Sequence, residues 1–63
     1  MSVGWIARNA DGIIRAFCHV SYADPKTLDE FCEGGRKVHL VEADQITLNQ
    51  PLAADARVLA AYP

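Results

Sequence analysis

Two stretches near the start of the chain, Val3 to Asn9 and Ile13 to Val20, are rich in β-branched and aromatic residues and flank the turn-forming run Asn9-Ala10-Asp11-Gly12. The pattern predicts a β-hairpin. Asn9 suits the first position of a type I turn, and Gly12 suits the left-handed position of a G1 bulge that closes the loop. That turn sets a register in which Asn9 faces Ile13, Arg8 faces Ile14, Ala7 faces Arg15, Ile6 faces Ala16, Trp5 faces Phe17 and Gly4 faces Cys18. Alternation then places Val3, Trp5, Ala7, Ile13, Arg15, Phe17 and His19 on one face and Ile6, Arg8, Ile14, Ala16, Cys18 and Val20 on the other. Both faces are apolar, so the ribbon needs two covers, from its own chain or from a partner.

Asp24-Pro25 opens a helix, with Asp24 as N-cap and Pro25 at the first helical position, where its missing N–H costs nothing. Leu28, Phe31 and Cys32 form one short apolar stripe, Ala23 is placed to staple onto Leu28, and Gly34-Gly35 ends the helix after about ten residues. Asp29, Glu30 and Glu33 take the opposite side, a solvated helix face. Arg36 to Glu42 alternates and reads as a third strand, lying beside strand one in the order 2-1-3 if the crossover is right-handed; the order 1-2-3 is the alternative. Ile46-Thr47-Leu48 reads equally as strand or turn. Leu52 to Ala61, alanine-rich with Leu52, Ala56 and Leu59 at i, i+4 and i+7, predicts a second short helix. The fold class is therefore α+β: a hairpin, a short helix and a third strand making a three-stranded, mainly antiparallel sheet, plus a short C-terminal helix.

Composition narrows the function classes. The chain has 63 residues, room for one domain spanning 1–63. With 22% charged residues and a formal net charge of -2, it lacks the signature of a disordered chain and the charge footprint of a typical nucleic-acid binder. No basic segment followed by an apolar run opens the sequence, and no stretch approaches a membrane span, so a cytoplasmic location with reduced Cys18 and Cys32 is expected.

The stretches Gly4-Trp5-Ile6-Ala7, Asp11-Gly12, Asp24-Pro25-Lys26 and Gly35-Arg36-Lys37-Val38 resemble the pattern of short phage- and prophage-encoded ββαβ orphan proteins. The short helix and the alanine-rich tail depart from that pattern. The resemblance implies a small accessory protein without enzymatic residues, residing in the host cytoplasm. Some phage proteins of this size, anti-CRISPR proteins among them, inhibit a bacterial defence complex by binding it.

The residues themselves carry little reaction chemistry. Cys18, His19, Cys32 and His39 are the candidate metal ligands, but adjacent strand residues point to opposite faces and the spacing lacks the close ligand pairs of zinc sites. Cys32 sits among Asp29, Glu30 and Glu33, the wrong electrostatics for a thiolate nucleophile, and Cys18 with His39 lacks an orienting carboxylate. No metal, no cofactor and no catalytic residue is predicted. The surplus of the chain is aromatic and basic, in Trp5, Arg8, Arg15, Phe17, Arg36 and Lys37, residue types that dominate protein interfaces. A protein partner is the expectation, with a Trp5/Phe17 pair serving either as anchor or as core under the helix. Two alternatives stand: an aromatic sheet face that stacks nucleic-acid bases, provided the basic residues cluster on one side, and a homodimer of sheets packed face to face.

Overall fold

The computed structural model describes residues 1–62 and contains strands β1 (Ser2–Arg8), β2 (Ile14–His19), β3 (Lys37–Ala43) and β4 (Arg57–Ala61) and one α-helix, α1 (Pro25–Phe31). The strands form a single antiparallel-paired sheet in the order β2-β1-β3-β4. The expected 2-1-3 core is present, with β4 added beyond β3. The sheet is thus four-stranded rather than three-stranded, and the class remains α+β.

The turn forms as its residues dictate. Gly12 N–H donates to Asn9 O at 2.9 Å, Asn9 N–H donates to Ile13 O at 3.2 Å, and Gly12 adopts φ 82°, a conformation open to glycine at no steric cost. Asp11 Oδ1 accepts from Ile13 N–H at 3.0 Å, which locks the exit of the turn. Arg8 faces Ile14 as expected, but Ala7 then faces Ala16, Ile6 faces Phe17 and Trp5 faces Cys18. Arg15 is the extra residue of a β-bulge, and one inserted residue turns every later side chain of β2 to the other face. Trp5 and Phe17 therefore lie on opposite sides of the sheet, not in a cross-strand pair.

One face packs on α1. Its core is Ala7, Leu28 and Val38, flanked by Trp5, Ala16, Ala23, Phe31, Cys32 and Tyr62. Asp24 caps the helix by accepting from Thr27 N–H at 2.8 Å, with Pro25 in the first turn. The helix stops at Phe31, earlier than the ten-residue expectation, because Gly34 and Gly35 take φ 77° and 78° and wind a 3-10 turn over Glu33–Gly35. A second 3-10 turn, Val20–Tyr22, joins β2 to the helix.

The other face is closed by a strap, residues 44–56, which has no helix and no named strand. Ile46, Leu52 and Ala56 pack on Ile6, Ile14 and Val41. The strap leaves β3 and crosses to β2, where Asn49 N–H donates to Ile14 O at 2.8 Å, Gln50 O accepts from Ile14 N–H at 3.0 Å, and Pro51 bridges to Ile13. It then returns to β4, its neck drawn in by Asp44 N–H donating to Asp55 Oδ2 at 3.4 Å, in the manner of a compact Ω-loop. Of the strand and the turn open to Ile46-Thr47-Leu48, no strand forms, and a turn begins at Leu48.

The C-terminal helix expected over Leu52 to Ala61 does not form. Leu52 and Ala56 turn into the core without a helix and Leu59 stays exposed, while Arg57 to Ala61 pairs with β3 and satisfies backbone groups that a helix would have left open along that strand. Helix propensity is a weak force beside a vacant sheet edge. Leu59 is bulged out of the ladder, between the pairs Leu40 with Ala60 and Val41 with Val58. On the strap side, Gly4 admits the Phe17 ring so closely that a Cβ there would meet Phe17 Cε1 at 2.5 Å.

Candidate functional site

Over β2, β1 and β3 the sheet has a cover from within the chain on each face, so a bare apolar face over its core is not what this protein offers. Its open surfaces are an edge and an end. The edge is β4, exposed along all five residues, with Val58 52% and Leu59 47% accessible. Charged or proline residues commonly guard such edges; here the single charge is Arg57, paired with Glu42 at 3.9 Å, and the bulge at Leu59 is the single irregularity. The opposite edge, β2, is sheltered at Ile13 and Ile14 by the strap.

The end is basic. The last residue of β1, the first turn of β2 and the start of β3 bring Arg8, Arg15, Arg36 and Lys37 to the same end of the sheet. These are four of the six Lys and Arg residues in the chain, so the clustering that the composition could not reveal is present. Arg36 Nε donates to Asn9 Oδ1 at 3.1 Å, and Arg15 Nη1 donates to Asn49 Oδ1 at 2.9 Å while standing 3.9 Å from Asp11. Arg8 and Lys37 face one another across β1 and β3 and enter no ion pair among the described residues. Diagonal to Arg8 on the same face lies His39, opposite Ile6. Arg8 Nε and His39 Nδ1 are both buried without a hydrogen-bond partner. Burial holds the His39 imidazole below its ordinary pKa, and the charges of Arg8 and then Lys37 push the same way.

The two aromatic candidates are not part of that end. Trp5 is half-buried on the helix side, edge-on to Tyr62 with ring centroids 6.2 Å apart, and Tyr62 donates its hydroxyl proton to Asp29 Oδ1 on α1. Phe17 is half-buried on the strap side against Ile6, Ile14 and Val41. The six candidate residues thus divide into a cluster of four cations and two rings separated by the sheet. His39, a candidate from sequence only as a metal ligand or a partner of Cys18, belongs with the four cations, and what marks it is the register that sets it diagonal to Arg8.

The thiol and imidazole groups do not converge. Cys18 sits opposite Trp5 on the helix face, whereas His39 sits opposite Ile6 on the strap face, so the sheet separates them. His19 lies at the far end of β2, where its Nδ1 accepts from Ser21 N–H at 3.1 Å. Both cysteines are free thiols, and among the described residues no group of three or more His, Cys, Asp or Glu side chains is placed to hold a metal ion. A cleft of about 260 Å³ opens in the strap between Ile14, Ile46, Pro51 and Leu52 on its apolar side and Gln45, Thr47 and Gln50 on its polar side, with no titratable group in its lining. No helix among the described residues is long and apolar enough to cross a membrane.

With this geometry in hand, the chain matches no protein-family model, no curated protein and no solved structure.

Proposed function

We propose that the protein is a small non-enzymatic binding module that docks on a protein partner by adding its edge strand, β4, to a strand of that partner. The observation that carries this reading is the outer side of β4: it is the last strand of the sheet, all five of its residues are exposed, and no strand lies beside it among the described residues. An open strand edge offers main-chain donors and acceptors for affinity, while its exposed side chains, Val58 and Leu59 the largest of the apolar ones, supply selectivity. In the sharper form that the phage-protein resemblance implies, the partner belongs to a bacterial defence complex and docking inhibits it. The aromatic base-stacking alternative has less to work with, because Trp5 and Phe17 do not share a face. A face-to-face homodimer has less to work with, because Ile6, Ile14 and Val41 lie under the strap and Ala7 and Val38 under α1.

The test compares the wild-type chain with a Val58→Lys, Leu59→Lys double variant, two changes at exposed positions that leave the core intact. A partner captured from a bacterial lysate and then purified should bind the variant roughly tenfold more weakly or worse, with an unchanged circular dichroism spectrum. Equal binding by the variant would overturn the reading. So would light scattering that finds a wild-type dimer and a monomeric variant, since the edge would then serve self-association.

A further inference from the structure

We propose that Arg8, Lys37 and His39 form a binding site for a phosphate group on the strap-side face of the sheet. The site is separate from the outer edge of β4 and does not depend on what that edge binds. Three features of the fold converge on it.

First, the register puts three nitrogen-bearing side chains side by side. Arg8 and Lys37 are direct partners across β1 and β3, and His39, two residues beyond Lys37, lies on the same face. Directly opposed residues in an antiparallel pair hold their Cβ atoms about 5 Å apart and diagonal ones about 7 to 8 Å apart, a spacing that one tetrahedral oxyanion can bridge through long side chains. Second, the donors are unspent. Arg8 Nε and His39 Nδ1 are buried and unpartnered, whereas the neighbouring Arg15 and Arg36 are already engaged by Asn49 and Asn9. A buried polar nitrogen without a partner costs free energy that an arriving acceptor recovers. Third, among the described residues no acid pairs with the cluster, and Asp11, at the same end of the sheet, stands with Arg15 instead. Facing His39 from β1 is Arg8, from β3 itself Lys37, and from β4 the uncharged Ala61. The helix acids Asp29, Glu30 and Glu33 lie across the sheet, and Glu42 pairs with Val3 and Arg57 at its opposite end.

An oxyanion placed among these groups accepts from the Arg8 guanidinium and from the Lys37 ammonium, and its charge favours protonation of His39. Phosphate fits this set better than a carboxylate, because its oxygens can meet donors from both β1 and β3 at once. The group can arrive as free phosphate or on a nucleic-acid backbone.

The two histidines make the test self-controlled. Inorganic phosphate is titrated into the full chain at constant ionic strength while the imidazole resonances of His39 and His19 are followed by NMR. The expected result is saturable movement of His39 and a rise in its titration midpoint, with His19 unmoved at the other end of the sheet. Lys37→Gln, a change at an exposed position, should weaken phosphate binding roughly tenfold, and Arg8→Gln at least as much. A short single-stranded oligonucleotide is then added. Displacement of phosphate from His39 with a steep salt dependence assigns the group to a nucleic-acid backbone, and no displacement assigns it to a small phosphate compound. The proposal is overturned if neither probe moves His39 more than His19, or if Lys37→Gln leaves phosphate affinity unchanged.

Discussion

The two faces of the sheet are closed by covers of opposite character. On one side a capped helix lays a single apolar stripe over Ala7 and Val38; on the other an irregular strap crosses the sheet and is pinned to Ile13 and Ile14. The irregular cover seals no worse. Beneath the strap Ile6, Ile14 and Val41 are 0%, 1% and 0% accessible, and beneath the helix Ala7 and Val38 are 0% and 3% accessible. Tight closure here follows from cross-links between the strap backbone and β2, which satisfy polar groups that a loop over a sheet would otherwise leave stranded. Regular secondary structure is one way to meet that demand, and strand-like pairing over two or three residues is another.

The largest expected effect separates the two cores. Ile6→Ala removes a fully buried side chain from beneath the strap and should destabilise the protein by about 3 to 4 kcal/mol, enough to unfold much of a domain this small. Leu28→Ala trims a less completely enclosed side chain that packs on the small Ala7, and should cost about 2 to 3 kcal/mol. Urea denaturation followed by circular dichroism measures both. A greater loss for Leu28→Ala would reverse the order of the two cores.

A second, smaller effect concerns the pin of the strap. Asn49 holds φ 65°, donates its N–H to Ile14 O and receives Arg15 Nη1 on its side chain. Asn49→Ala combines the left-handed backbone with a Cβ and loses the side-chain acceptor, at a cost of about 1 to 2 kcal/mol. Asn49→Gly keeps the backbone easy and should lose less. If both variants melt like the wild type, the strap owes nothing to this side chain and its closure rests on its backbone bonds to β2 and on Ile46, Leu52 and Ala56.

The helix-side cover was legible because its signals are local: Asp24-Pro25, one apolar stripe and Gly34-Gly35 each act within a turn of the chain. The hairpin turn and the 2-1-3 strand order were legible for similar reasons. The strap was not, since its structure depends on partners on β2 more than thirty residues earlier in the chain. The same applies to β4, where alanines spaced for a helix were claimed by the vacant edge of β3. The bulge at Arg15 gave a subtler error, for one added residue moved Phe17 and Cys18 to opposite sides from those expected and split the aromatic pair. For the candidate site, the four cations could be picked out singly from the sequence, but their gathering at one end and the place of His39 among them depend on long-range register.

The smallest effect sharpens the contrast between the covers through pH. Accepting from the backbone N–H of Thr27 holds the Asp24 carboxylate below the usual aspartate pKa of 3.8. Because the folded value is depressed, the charged cap contributes fully above 3.8 and its contribution is lost as pH falls through the lower folded value. Acid should therefore loosen the helix cover at its first turn. Asparagine can still accept from Thr27 N–H but does not titrate, so Asp24→Asn should lose fewer degrees of melting temperature than the wild type between neutral pH and about pH 3. Hydrogen exchange gives the same answer by position: at about pH 3 the amide of Thr27 should open in the wild type more than in the variant, while those of Ile14 and Asn49, bonded backbone to backbone with the strap, should respond alike in the two proteins. Equal opening of Thr27 in both proteins would mean that the charge on the cap adds nothing, and that the helix cover is held by Leu28 and its neighbours rather than by its start.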